Sequence, residues 1–277
     1  MAGRTRKIIS AVMAALMIMA AGGCGSSNKD IPSSADNSQY ISETEDNGNV
    51  TDGKEYDIDN GGLPYDEETV YNQLFDINNK VEIDVDISDD ELAKMQSDYN
   101  RYDNMGSKSP IYRKCDLKIS ITSDGVKNTY IIRNTGIRMK GNTSRTAFYD
   151  SNSGVYSLIH FKVDFTETFD DEQYYGGDSD YDLDIDKEKQ QNRTFATLDS
   201  MEIKWNQTSD STYVREYYTC EMYRDFGILA QRTNLASINL GDVHEGIFKI
   251  YEPVDKKFIK RYVAKEDCGG DLYKCGW

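Results

Sequence analysis

The chain has 277 residues, 48 of them acidic against 32 basic, for a formal net charge of −16. That balance argues against a general binder of nucleic acid, because the phosphate backbone rewards clustered cations. Two histidines are too few for a histidine metal centre, and none of the five cysteines forms a Cys-x-x-Cys pair.

Residues 1–24 read as an export signal with a lipobox. Arg4, Arg6 and Lys7 form a charged start, and residues 8–21 form an apolar run too short to favour a membrane span. Ala21-Gly22-Gly23-Cys24 then resembles the small-residue box before a lipidated cysteine. The expectation is an exported chain, lipid-anchored through Cys24 to the bacterial cell membrane and facing outward. An ordinary signal peptide with a chance cysteine is the alternative. Residues 25–65 are dominated by Asp, Glu, Asn, Ser and Gly, so they cannot bury enough apolar surface to fold and are expected to form a disordered acidic tether. Residues 66–277 remain for the folded part, enough for one good core or two small lobes.

Within that part, residues 67–75 suit a short helix with Val70, Leu74 and Phe75 on one side. Residues 80–87 alternate strictly, which predicts a half-buried strand. Ser88 followed by Glu91 is a capping box, and Leu92, Met95 and Tyr99 continue at helical spacing. Residues 115–122 and 128–134 flank Ser123-Asp124-Gly125, a hairpin signal. Gly136-Ile137-Arg138-Met139-Lys140 extends the second strand with one apolar and one cationic face, and Gly141-Asn142-Thr143-Ser144-Arg145 breaks it. A turn with free amides beside three cations suits an anion; a surface hairpin with basic side chains is the bland alternative. Residues 157–165 predict another strand.

The acidic run from Asp170 to Glu188 lacks the spacing of a calcium loop and is expected to be a solvated, flexible insertion. Residues 195–205 turn strand-like toward their end. Residues 213–226 form the longest clear helix, with an apolar stripe of Val214, Tyr218, Met222 and Phe226 and a stop at Gly227. A hairpin over residues 236–252 follows, then a helix capped by Asp255 and carrying Phe258, Ile259, Tyr262 and Val263. Cys268 and Cys275 flank Gly269-Gly270 as a possible small disulfide loop. Antiparallel strands, a helix, two strands and a helix predict an α+β fold, an antiparallel sheet with packed helices.

Several pieces share their order with a known family. They are the Gly136–Arg145 stretch, Phe161-Lys162-Val163-Asp164-Phe165, Asp210 with Arg215-Glu216, Gly227-Ile228-Leu229-Ala230, Gly246 to Glu252 with Val254-Asp255, and Gly270 to Lys274. Over residues 80–277 the chain resembles the CotH kinase-like proteins, the spore-coat-protein-H family, which are similar to atypical protein kinases of secreted proteins. The resemblance implies the N-terminal lobe of a bilobed kinase fold, ATP, and Mg or Mn. It places Arg138, Lys140, Asn142 and Arg145 near the phosphates and makes Lys162 the phosphate-binding lysine. It makes Glu216 the partner of that lysine, Arg215 a second phosphate contact and Glu252 the start of the hinge. The catalytic aspartate and metal residues of a kinase follow the hinge. No such segment follows Glu252, so the chain is expected to be truncated within the domain and inactive in this form. The implied activity of the complete protein is ATP-dependent phosphorylation of protein Ser/Thr, with a protein substrate or an envelope or coat protein as partner. A non-catalytic interaction module, and a carbohydrate-binding lipoprotein using its 20 tyrosines, are the alternatives.

Overall fold

The computed structural model describes residues 50–59, 65–141, 146–150, 155–206, 210–241, 244–270 and 272–273. The chain divides into residues 1–47 and 48–277; the first unit, with Cys24, lies outside the described residues. No helix among the described residues is long and apolar enough to cross a membrane.

The fold is α+β. Its strands are β1 (Thr51–Asp57), β2 (Lys80–Asp86), β3 (Arg113–Ser123), β4 (Val126–Lys140), β5 (Tyr149–Asp150), β6 (Val155–Tyr156), β7 (His160–Asp164), β8 (Ser200–Trp205), β9 (Thr233–Leu240) and β10 (His244–Tyr251). Its helices are α1 (Glu67–Leu74), α2 (Asp89–Asp103), α3 (Glu172–Tyr175), α4 (Lys187–Gln191), α5 (Arg215–Asp225) and α6 (Lys256–Tyr262). The main sheet runs β1-β4-β3-β2-β9-β10-β8-β7, and β7 pairs again with β4, so seven strands close on themselves and β1 lies outside the ring.

Strand β4 makes the closure possible. It carries a bulge against β3 between Cys115 and Leu117, with Asn134 at φ 48° and its amide donating to Asp116 Oδ1 at 2.8 Å. A bulge bends its strand and increases twist. Before the bend β4 holds β1, and after it β4 holds β7. Alternation then sends one face of each of the seven ring strands inward. Ile83, Ile119, Ile132, Phe161, Ile203, Ile238 and Ile250 are all buried, and each such side chain contributes roughly 1.5–3 kcal/mol. Val70, Tyr71 and Leu74 of α1 and Leu92 and Met95 of α2 join the same core.

Three expectations need correction. The sheet is mixed, because β1 runs parallel to β4 and β2 parallel to β9. The acidic tether ends earlier than residue 65, since Thr51–Asp57 is strand β1 and Asp59 bonds the Arg133 amide and Arg193. The acidic insertion is also built into the fold. Phe169, Tyr175 and Tyr181 bury themselves with Ile111 in a second core, and Lys94 of α2 meets Asp90, Glu91, Asp178 and Asp180 within 3.3 Å. An ammonium centred among four carboxylates offsets the repulsion that made this run look unfoldable.

Half of the capping box holds. The Glu91 amide donates to Ser88 Oγ at 3.3 Å, but the Glu91 carboxylate accepts from Tyr181 and the Lys114 amide instead of reaching back. Cys115, Cys220 and Cys268 are free thiols, and Cys275 lies outside the described residues.

Candidate functional site

The outward faces of β4, β7, β8 and β10 form one polar wall. Cross-strand register sets Lys140 opposite His160, brings His160 abreast of Lys204, and pairs Lys204 with Lys249. A second row two residues along holds Arg138, Lys162, Glu202 and Tyr251. In a protein of net charge −16, this concentration of cations on one wall is the departure to explain.

Helix α5 closes one side of a cleft of about 190 Å³ lined by His160, Lys204, Trp205, Asn206, Asp210, Arg215, Glu216 and Lys249. The helix has no side-chain cap of the usual kind at Val214. Asp210 replaces it: its carboxylate accepts from the Thr212 hydroxyl at 2.6 Å and from the Arg215 amide at 3.2 Å. These bonds, led by the Thr212 hydroxyl, hold the Asp210 carboxyl at about 2. Glu216 therefore enters the cleft from the first turn, where its carboxylate accepts from Lys249 Nζ at 2.8 Å and from the Tyr251 hydroxyl. Asp210 Oδ2 lies 3.5 Å from the same ammonium. Burial opposes the Glu216 charge, but Lys249 and Tyr251 hold its carboxyl below the usual range. Two polar atoms beside the cleft, His160 Nδ1 and Asn206 Oδ1, are buried and have no hydrogen-bond partner among the described residues.

The family resemblance implied Lys162 as the partner of Glu216, and the structure has Lys249 in that place. Lys162 sits 3.6 Å from Asp164 and over the Tyr112 ring. Burial works against its charge, but Tyr112 and Asp164 keep its ammonium above the ordinary lysine value. Arg138 packs on the Tyr112 ring and donates to the Ser109 carbonyl at 2.9 Å, which turns it from the cleft toward α2. Lys140 lies on the wall, ion-paired with Glu202; burial, with Lys204 and Lys162 nearby, lowers its value despite that pair. Arg215 lines the cleft and is well exposed. Glu252 does follow β10, but its carboxylate is 1% exposed and taken by Arg261 and Tyr262 of α6 and the Arg232 amide. It anchors α6 and does not line the cleft. Asn142 and Arg145 lie outside the described residues.

Lys204, Lys249, His160 and Asn206 escaped the sequence reading. A signal was present for the two lysines: Glu202 and Lys204, and Lys249 and Tyr251, alternate with buried Ile203 and Ile250. Phosphate-class anions suit this wall, whereas its two cleft carboxylates already serve Lys249. Among the described residues, a separate group of three carboxylates able to meet one cation, Asp90, Glu91 and Asp180, is filled by the Lys94 ammonium.

The site is thus part of an α+β domain in which a cationic strand wall faces a helix glutamate. The family is settled by sequence: the model of the CotH kinase protein family matches residues 137–276, just over half the chain, and the chain belongs to that family. Every residue of the cleft falls inside this span. No curated protein matches the chain.

Proposed function

We propose that this wall binds the phosphates of ATP, and that the domain works as the N-terminal lobe of an atypical protein kinase acting on Ser or Thr of protein substrates. The observation that carries the reading is the Lys249–Glu216 pair at 2.8 Å, seated in the cleft beside Lys204. Phosphoryl transfer asks the protein mainly for positioning and charge stabilisation, and a strand lysine held by a helix glutamate is a recurring part of that equipment. Lys249, Lys204 and Arg215 would hold the phosphates, while Lys140 adds charge from the edge of the wall. ATP supplies the transferred group. The carboxylates present in the cleft do not suit Mg or Mn, because Asp210 and Glu216 are engaged by Lys249, so no step is assigned through the metal.

The remaining features complete the reading: lipid attachment at Cys24, an outward-facing location, and an envelope or coat protein as substrate. The test is calorimetric titration of the purified chain with ATP, with and without Mn. ATP is expected to bind, and Lys249→Met is expected to weaken it at least about tenfold, the loss of one charged hydrogen-bonding group. Absence of ATP binding under both conditions would remove the reading.

One observation favours a second reading, a non-catalytic interaction module. Tyr218 and Phe226 of the α5 region are 61% and 70% exposed, although they belong to the helix's apolar stripe. An exposed apolar stripe of this kind suits a protein partner.

A further inference from the structure

The cleft contains a titratable group that the ATP reading leaves unused. His160 stands on β7 between Lys140 of β4 and Lys204 of β8, and Lys249 of β10 lies one strand beyond. The opposite side brings Asp210, Arg215 and Glu216. The imidazole Nδ1 is buried and unpartnered among the described residues, and so is Oδ1 of Asn206, a side chain only 5% exposed. A buried polar atom left without a partner costs about 1–3 kcal/mol, so two beside one cleft point to a ligand that completes them.

Charge decides which ligand. Glu216 and Asp210 face Lys249, and Glu202 is shared by Lys140 and Lys204, so with Arg215 the cations still outnumber the carboxylates near His160. A protonated imidazole would add another positive charge there. Burial first, then Lys204 and Lys140, press its titration below the ordinary histidine value, and Glu216 acts the other way. An arriving dianion reverses this balance, because it is attracted by the same ammoniums and stabilises an imidazolium beside them.

We propose that His160 is a phosphate ligand of this cleft and takes up one proton from solvent as the anion binds. Nδ1–H then donates to a phosphate oxygen, and Asn206 Oδ1 accepts from a hydroxyl or amine of the same ligand. The inference rests on the phosphate-binding reading of the cleft. Its sign follows from linkage: the bound state holds the proton more tightly, so affinity rises as pH falls between the bound and free titration midpoints, by at most about tenfold per pH unit.

The chain has two histidines, so proton NMR of the imidazole C2–H signals gives two titrations, and His160→Gln identifies one by its loss. Should that variant not fold, His244→Gln assigns the signal by elimination. The probes are ATP and sulfate, the latter a dianion with no titration of its own in this range. With either at saturation the His160 midpoint is expected to rise by at least about half a unit. In parallel, calorimetry on His160→Gln is expected to show ATP affinity that no longer strengthens toward acid beyond the nucleotide's own titration. ATP binding with an unmoved His160 midpoint overturns the inference and leaves the ATP reading standing. Failure of both ATP and sulfate to bind overturns the two together.

Discussion

Lys249 is an ammonium only 6% exposed, with Glu216 at 2.8 Å and Asp210 at 3.5 Å. Burying such a group costs free energy unless partners replace its water. Lys249→Met is therefore expected to lower stability by about 2 kcal/mol, the scale of a charged hydrogen bond. A double-mutant cycle with Glu216→Gln should give a coupling of about 1–3 kcal/mol by urea denaturation, whereas the same cycle with Lys162→Met should stay within about 0.5 kcal/mol. The two lysines are hard to tell apart in sequence. Phe161-Lys162-Val163 and Phe248-Lys249-Ile250 both place a lysine between inward apolar residues. Alternation identifies the outward face, but which strand lies beneath α5 depends on sheet order, a long-range property. Glu216 was reached through the family resemblance and its place in the first turn of a helix; its partner depends on sheet order and was not legible.

At the scale of elements, α5 is held by polar contacts. Glu216 ties its first turn to β10, and Arg224 in its last turn donates to the Gln231 carbonyl at 2.9 Å. None of its residues is buried, and the stripe at Tyr218 and Met222, continued by Phe226, faces outward. Phe226→Ser is accordingly expected to change stability by less than about 0.5 kcal/mol, against the roughly 3–5 kcal/mol lost when a core phenylalanine is truncated. Thermal and urea unfolding will separate these outcomes. Helical spacing correctly located the helix. Its period says that an apolar side exists, and only the neighbouring elements say whether that side meets protein. The acidic insertion failed in the opposite direction: its charge masked Tyr175, which buries against Phe169 and Tyr181, and Tyr181, which buries under Lys94, Arg113 and Lys114.

For the whole molecule, the folded boundary reaches back to β1. Asp59 Oδ1 accepts from Arg193 at 2.6 Å, and that arginine side chain is only 4% exposed. Asp59→Ala leaves a buried guanidinium without its carboxylate, and a loss of about 2–4 kcal/mol is expected, read as a lowered melting temperature. A disordered tether through residue 65 would show no such effect. The strand escaped notice because Thr51 to Asp57 carries little apolar character, and its partner, β4, is about 75 residues away along the chain.

The ring of strands has a mechanical consequence for whatever enters the cleft. Each stave of the cationic wall is laced to a neighbour on both flanks, β4 and β7 included. A visiting molecule therefore cannot make room by unzipping one of them. Any give must come from the opposite bank, where a helix is moored through Glu216, Asp210 and Arg224.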